Sequence, residues 1–185
     1  MPRAEKKGCV KVYIGIDNGV TGSIGIITTS DNQKTGTSFF PQITFSEQDY
    51  TKKKKNITRI NFLALSKALW KYVAKADEVY IMMERPMVNP TRFTPSTSAL
   101  RAMEACLNTI LFLQKKKGQI FGFRWVDSKE WQRKFLTSGI KGPAELKKNS
   151  LQLGKKRYPK WAGAIDKQKD ADGLFIAEFC RSEFE

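Results

Sequence analysis

The sequence predicts an α/β protein with a mixed five-stranded sheet, three antiparallel strands and then parallel ones, flanked by helices. Two observations predict this class. Three apolar segments near the start of the chain alternate as β-strands do and are separated by turn residues, as in successive hairpins. Beyond them, helical and strand patterns alternate, which is the order of βα units in a partly parallel sheet.

The three hairpin strands are predicted from their alternation. Residues 11–17, with Val10 before them, form the first strand, and residues 22–29 form the second after a glycine-rich turn. The third covers 35–45 and follows the turn Asp31-Asn32-Gln33. The lysine-rich segment 51–59 is predicted to be a charged loop.

The rest of the chain is predicted from periodicity and from breaking residues. Apolar residues at helical spacing predict a helix at 61–73, and the apolar run 78–84 predicts a buried strand. Three prolines predict a loop at 85–96. The remaining predicted elements are a long helix at 97–118, a strand at 119–126, short helices at 127–136 and 143–153, and a closing helix at 170–184.

The net charge of +15, from 33 Lys and Arg against 18 Asp and Glu, favours a polyanionic partner; solubility alone is the simpler explanation. No apolar run approaches the roughly 20 residues of a membrane helix. The polar start has no signal-peptide pattern, so we expect an intracellular, soluble protein. Residues 1–9 are expected to be a disordered basic tail, and residues 10–185 a single domain.

The kinds of metal site are limited by composition. The chain has no histidine, and its three cysteines show no paired spacing. The absence of histidine therefore excludes catalytic triads that use it, and the composition disfavours zinc sites of the Cys/His kind. A bound metal would be held by carboxylates, which favours a hard ion such as Mg²⁺, with Mn²⁺ as a substitute.

Three acids stand where the pattern is otherwise apolar. Asp17 ends the first strand, Glu84 ends the strand 78–84, and Asp172 lies in the closing helix, on the apolar stripe that should pack on the sheet. A charge there is costly unless it is paired or bound to a cation, so the three together predict a metal site. Each also has an ordinary explanation: a turn residue, a partner of Arg85 or of a lysine, and a helix cap.

Three segments resemble the RuvC-type Holliday junction resolvases. YIGIDNGVTGSIGII is similar to their opening hairpin, VYIMMERP to their second acidic strand, and KDADGLFIAEF to their closing helix. The resemblance runs from about residue 15 to 180. It implies an RNase H-like fold and a structure-specific endonuclease that resolves four-way junctions or other branched DNA. It also implies that Asp17, Glu84 and Asp172 hold two Mg²⁺ ions, one activating the attacking water and one stabilising the leaving 3′ oxygen.

The chain departs from that family at its turn and at its closing helix. Asn18 replaces the usual proline of the opening turn. The family often has a further acid before the helical one, and here Asp170 is the nearest candidate, so it is a fourth possible catalytic and metal-binding residue. Helical geometry would turn Asp170 to solvent if the closing helix includes it; if the helix starts after it, Asp170 would more naturally be the N-cap.

Basic and apolar residues are expected to contact DNA. Relatives carry an active-site lysine where this chain has Gln132, so a neighbouring cation would have to substitute. Four lysine-rich runs predict a phosphate-tracking surface, and apolar residues in the loop after Glu84 could enter a junction core or pack beneath the loop. The candidates are Met87, Phe93, Lys129, Arg133, Lys134, Lys147 and Lys148.

The resemblance implies a homodimer, because a four-way junction has near two-fold symmetry. The helix 97–118 could supply its interface or bury against the sheet. Other functions stay open: a non-catalytic DNA-binding module, or a nuclease for flaps, forks or RNA hybrids. Asp17, Gly19 and Thr21 also match the first phosphate loop of sugar-kinase-like ATP-binding proteins, but those need a second such loop, for which the chain has no room.

Overall fold

Seven strands and six α-helices lie within residues 8–31, 35–48, 54–89, 91–118 and 122–185, the part of the chain that the computed structural model describes. The strands are β1 (Val10–Ile16), β2 (Ser23–Ser30), β3 (Gly36–Pro41), β4 (Thr44–Gln48), β5 (Asn56–Ile60), β6 (Glu78–Glu84) and β7 (Gly122–Val126). The helices are α1 (Phe62–Val73), α2 (Phe93–Lys117), α3 (Ser128–Phe135), α4 (Pro143–Arg157), α5 (Ala162–Gln168) and α6 (Asp172–Phe184), with a 3₁₀ turn at Pro159–Trp161.

Five strands form the main sheet in the order β3-β2-β1-β6-β7. The first three are antiparallel neighbours, whereas β6 runs parallel to β1 and β7 runs parallel to β6. The predicted mixed sheet of the RNase H-like fold is therefore confirmed. Ile16 pairs with Met83, so β1 and β6 end at the same edge of the sheet, where Asp17 and Glu84 stand.

The two faces of the sheet carry separate apolar clusters. Val12, Ile14 and Ile16 of β1 pack in the cluster that includes α1 and α2. Tyr13, between them in sequence, packs in the other cluster, with α3 and α6, because side chains alternate along a strand. The sheet is thus buried on both sides by helices.

Helix α6 lies directly on the backbone of β1 and β2, because glycines leave no side chains between them. A β-carbon at Gly15 would lie 2.1 Å from the amide nitrogen of Ala177, and one at Gly25 would lie 2.2 Å from the carbonyl oxygen of Gly173. All residues from 173 to 180 are buried. The sequence predicts a helix packed by one stripe, and the structure corrects this: α6 is enclosed on all sides from residue 173 to residue 180.

The predicted third strand, 35–45, is divided in two. It ends at Pro41, which has no N–H for a sheet hydrogen bond. The chain then forms β4, which pairs with β5 in a separate antiparallel hairpin. β5 lies within the segment predicted as a charged loop, because the lysines before it hid the alternation of NITRI. Residues 49–53, between the two strands, lie outside the described part.

Several helix boundaries also differ from prediction. α2 begins at Phe93 inside the predicted loop 85–96, because Pro95 stands in the first helical turn, where no N–H is needed. α4 extends to Arg157, and α5 was not predicted. Lys169, at φ 71°, ends α5 in a left-handed turn, so α6 begins only at Asp172. Among the described helices, none has the length and apolarity to cross a membrane.

The predicted tail, residues 1–9, and the predicted strand 119–126 fall partly outside the described residues. Of the tail only Gly8 and Cys9 are described, and the N–H of Cys9 donates to Oδ2 of Asp31 at 2.8 Å. The strand is described from Gly122 onwards.

Candidate metal centre

Three carboxylates meet at the edge of the sheet where β1 ends. Asp17, Asp170 and Asp172 each offer one oxygen, and these three oxygens lie within 4.8 Å of one another. Asp17 directly follows β1, and the other two stand at the start of α6. The packing of α6 on β1 and β2 brings the two ends of the sequence together. An all-oxygen donor set of this kind fits a hard ion such as Mg²⁺ or Mn²⁺.

The turn after β1 fixes Asp17 through its backbone. Its N–H donates to the carbonyl of Ser23 at 3.0 Å, and its own carbonyl accepts from the side chain of Gln42 at 2.8 Å. The N–H of Gly19 donates to its carboxylate at 3.3 Å. A β-carbon at Gly22 would lie 2.3 Å from the carbonyl oxygen of Asp17, so only glycine fits there.

Burial raises the pKa values of all three acids, and repulsion adds to this effect at Asp17 and Asp172. Burial, followed by repulsion from Glu84 and Asp170, raises the pKa of Asp17 from 3.8 to about 7. Burial, and then repulsion from Asp170 and Asp17, raises the pKa of Asp172 well above its ordinary value. Burial also raises the pKa of Asp170. Without a cation, the group favours bound protons, and a bound cation would relieve that cost.

Asp170 does not follow the alternative in which α6 includes it and turns it to solvent, because the helix starts after it. It is fully buried, precedes α6, and faces the other acids. Its carboxylate accepts from Ser23 Oγ and from Lys147 Nζ, both at 3.4 Å. The capping bond is also present but long, 3.4 Å from the N–H of Asp172, and the residue at the N-cap position is Ala171.

Asp172 is held by a serine of another helix. The hydroxyl of Ser150, on α4, donates to Oδ1 of Asp172 and accepts from the N–H of Ala171 at 3.1 Å. Ser150 is fully buried. A β-carbon at Gly154 would lie 2.2 Å from the β-carbon of Ala171, so α4 comes very close to the start of α6. α4 thereby fixes the orientation of Asp172.

Glu84 lies beside this group and not within it. Ser128 Oγ donates to its Oε1, and Trp131 Nε1 donates to its Oε2 at 2.9 Å. Arg85 pairs instead with Asp127 at 3.3 Å, which overturns the alternative that Arg85 neutralises Glu84. Burial raises the pKa of Glu84 in spite of these donors.

Among the described residues predicted to contact DNA phosphates, Lys147 is the one that reaches the acids. Its Nζ lies 3.4 Å from Oδ2 of Asp170, while 54% of its side chain stays exposed. Burial lowers its pKa, but attraction by Asp170, Asp17 and Asp172 outweighs this, so its pKa is raised and the ammonium stays charged. Sequence reasoning placed it with Lys148 on a phosphate surface, since nothing in a lysine run marks one member as different.

The other described residues predicted to contact DNA lie outside the acid group. Met87, in the loop after β6, is 89% exposed. Lys134 is engaged by the protein itself: its Nζ lies 2.6 Å from Ser182 Oγ and over the ring of Phe179. Lys129 and Arg133 line a cleft beside α3, and Lys148 is exposed on α4. The side chain of Phe93 lies outside the described part.

The chain was compared with known proteins. No protein-family model and no curated protein matches it. Among solved structures, T. thermophilus RuvC in complex with a Holliday junction substrate matches at 12% identity and a TM-score of 0.49, covering 95% of this chain and 96% of that one. A second Thermus thermophilus RuvC structure matches at 12% identity and a TM-score of 0.42, covering 94% and 96%. Similarity this distant carries no weight for activity, which rests on the site.

Proposed function

We propose that this chain is a metal-dependent endonuclease that cuts branched DNA, and four-way junctions in particular. The grouping of Asp17, Asp170 and Asp172 within 4.8 Å, beside a charged Lys147, carries the proposal. A divalent cation would relieve the repulsion among these buried carboxylates, and the +15 net charge suits a nucleic-acid substrate. The sequence segments that resemble junction resolvases contribute these same acids.

The acids would hold the metal ions needed for phosphodiester hydrolysis. A bound Mg²⁺ would supply Lewis-acid stabilisation of the phosphodiester oxygens and of the attacking water. Asp17, Asp170 and Asp172 would hold the ion, and Glu84, kept beside Asp17 by Ser128 and Trp131, is available with Asp17 for a second one. Water attacks phosphorus and the 3′ oxygen leaves, giving a 5′-phosphate and a 3′-hydroxyl.

Lys147 would hold the scissile phosphate over the acids. Its ammonium is anchored by Asp170 on one side and is half exposed on the other, so it can donate to a phosphate oxygen without leaving its carboxylate. Because its pKa is raised, it remains a cation at neutral and mildly alkaline pH.

Met87 is the feature that favours branched over regular duplex DNA. It is 89% exposed in the loop that follows Glu84, and Val88 beside it is also exposed. A solvent-exposed apolar side chain beside a metal site can insert into a gap between base pairs, such as the centre of a junction.

A homodimer is part of the proposal, with α2 as its interface. Leu100, Leu111 and Phe112 are exposed apolar residues of α2, and Arg101 and Glu104 lie on the same helix surface as Leu100. A two-fold contact between two copies would cover the leucines and pair those opposite charges. Leu111→Lys should therefore yield monomers in light-scattering measurements. Leu63→Lys, at an exposed position of α1, should leave the dimer intact.

The experiment that tests the function uses a labelled four-way junction, a flap and a linear duplex, each with Mg²⁺, with Ca²⁺ and with chelator. We expect symmetric cuts in the junction with Mg²⁺ or Mn²⁺, binding with little cutting in Ca²⁺, and no cutting in chelator. Preferential cutting of the flap would indicate that flaps and forks are the substrates instead. Junction binding with no cutting in any metal would favour a non-catalytic DNA-binding module instead.

A further inference from the structure

A cleft of about 400 Å³ opens between α3, the loop 136–142 and the start of α4, outside the acid group. We call it the α3–α4 cleft; it is lined by Lys129, Gln132, Arg133, Leu136, Thr137, Ser138, Gly139, Ile140 and Leu146. We propose that this cleft receives the base of a nucleotide next to the scissile phosphate, and that Gln132 reads that base as an adenine. This inference rests on the proposed function and adds a preference for the DNA sequence at the cut.

The cleft is close to the acids because the same two helices build both. On α3, Ser128 and Trp131 turn towards Glu84, and Lys129 and Gln132 follow them directly in sequence, about 100° further round the helix. On α4, Leu146 lines the cleft and the next residue, Lys147, reaches Asp170. The opening of the cleft therefore lies within one turn of α4 from Lys147. A DNA strand whose phosphate contacts Lys147 would pass that opening.

The lining suits a base with phosphates on either side. Leu136, Ile140 and Leu146 give an apolar surface for a flat ring, and most of the lining is apolar. Lys129 and Arg133 add positive charge, and no acid lines the cleft. This charge excludes a cationic ligand, and the apolar lining makes a bare phosphate a poor occupant.

Gln132 is the polar group available to read a base. Within the described residues, its side chain makes no hydrogen bond to the protein, although Lys134 of the same helix is engaged by Ser182. A carboxamide offers one donor and one acceptor side by side, the pattern that pairs with the N6 and N7 atoms of adenine.

The cleft is formed before any ligand arrives. Asn149 of α4 accepts from the N–H of Thr137 at 2.9 Å and donates to its hydroxyl at 3.0 Å, which ties the loop to the helix. Gly139 and Gly142 take positive φ angles of 84° and 90°, so the loop has a defined bend. Reading a base with a preformed cleft costs little ordering entropy.

The test measures where the full-length protein cuts a set of four-way junctions whose bases on either side of the cut are varied one at a time. Wild type should prefer adenine at one position beside the cut. Gln132→Ala should lower that preference about 10-fold, the effect of one lost bidentate contact. Ile140→Ala, which removes part of the apolar lining, should lower the same preference. Gln152→Ala, an exposed glutamine on the far part of α4, should leave the preference as in wild type.

A second readout needs no cutting. With Ca²⁺ in place of Mg²⁺, 2-aminopurine at the preferred position should change its fluorescence on binding wild type, and Ile140→Ala should reduce that change. An unaltered preference and an unaltered fluorescence signal in both cleft variants would overturn the inference while the nuclease proposal stood. A wild-type protein that cuts without regard to the neighbouring bases would overturn it too. Failure of wild type to cut any branched DNA would overturn both.

Discussion

The ammonium nitrogen of Lys147 lies 3.4 Å from Oδ2 of Asp170, whereas Lys148, the next residue of α4, is exposed and outside the acid group. Lys147→Gln should lower kcat about 100-fold, because a charged donor to the scissile phosphate is lost. Lys148→Gln should act mainly on affinity, and should reduce the slope of log affinity against log salt by about one. Single-turnover cleavage and salt-dependent binding separate the two. Equal effects on kcat would contradict the distinct position of Lys147.

Substitutions that remove the negative charge of one carboxylate at a time test the role of the acids as metal ligands. Asp17→Asn, Glu84→Gln and Asp172→Asn should each abolish cleavage while junction binding in Ca²⁺ stays largely intact, because the fold and the basic surface remain. Asp166→Asn is the matched control, since Asp166 is exposed and pairs with Lys155 on α4. If any of the three retained cleavage near the wild-type rate, its role as a ligand would be wrong.

Asp170 should behave as a member of the acid group. Asp170→Asn removes a buried charge next to two others, so the metal-free protein should melt about 2–4 °C higher, the shift that about 1 kcal/mol produces at this chain length. Stabilisation by Mg²⁺ and cleavage should both be lost. A residue that acted only as a cap would keep both, because asparagine also caps helices. Thermal melts with chelator and with Mg²⁺ distinguish these outcomes.

The raised pKa of Asp17 gives a defined pH dependence. The folded chain prefers its protonated form, so its contribution to stability is present below about pH 3.8 and is lost as pH rises through about 7. In chelator, Tm should therefore fall between about pH 5 and pH 7, within the window set by the two pKa values, and the chain has no histidine to titrate there. Added Mg²⁺ should raise Tm more at pH 8 than at pH 5. A Tm that rose with pH over this range in chelator would contradict the raised pKa of Asp17.

Ser150 should matter for both stability and metal binding. Ser150→Ala removes the donor to Asp172 and leaves the N–H of Ala171 without its partner, at a cost of about 1–3 kcal/mol. Mn²⁺ affinity, measured by electron paramagnetic resonance titration, should fall as well. Ser66→Ala is the control, because the buried hydroxyl of Ser66 has no partner among the described residues and its loss should cost little. Unchanged Mn²⁺ affinity in Ser150→Ala would limit Ser150 to a structural role.

Sequence patterns predict both the sheet and the neighbouring positions of Asp17 and Glu84, and they do so for one reason. Alternation and apolar runs depend on local geometry, and parallel strands end at a common edge, so Asp17 and Glu84 had to be neighbours. The position of Asp170 depends on where α6 begins, which the left-handed turn at Lys169 decides. No local pattern marks that turn, because lysine rarely adopts it.

The contacts that hold the acids were beyond sequence reasoning. Ser128 and Ser150 are ordinary helix residues by pattern, and their role arises only when α3 and α4 pack near Glu84 and α6. The β4–β5 hairpin was missed because its lysine-rich neighbourhood obscured a short alternation. Such features depend on contacts between distant segments, which periodicity does not report.

The hydrogen bond from the N–H of Gly173 to Ser23 Oγ joins residues 150 positions apart. A ribosome makes β1 and β2 early and α6 late, so a nascent chain carries Asp17 for most of the synthesis of these 185 residues without Asp170 and Asp172. Docking of α6 onto the glycines of β1 and β2 is then the step that brings Asp170 and Asp172 to Asp17. Under the proposed function, a chain interrupted before residue 170 would lack two of the three carboxylates proposed to hold the metal.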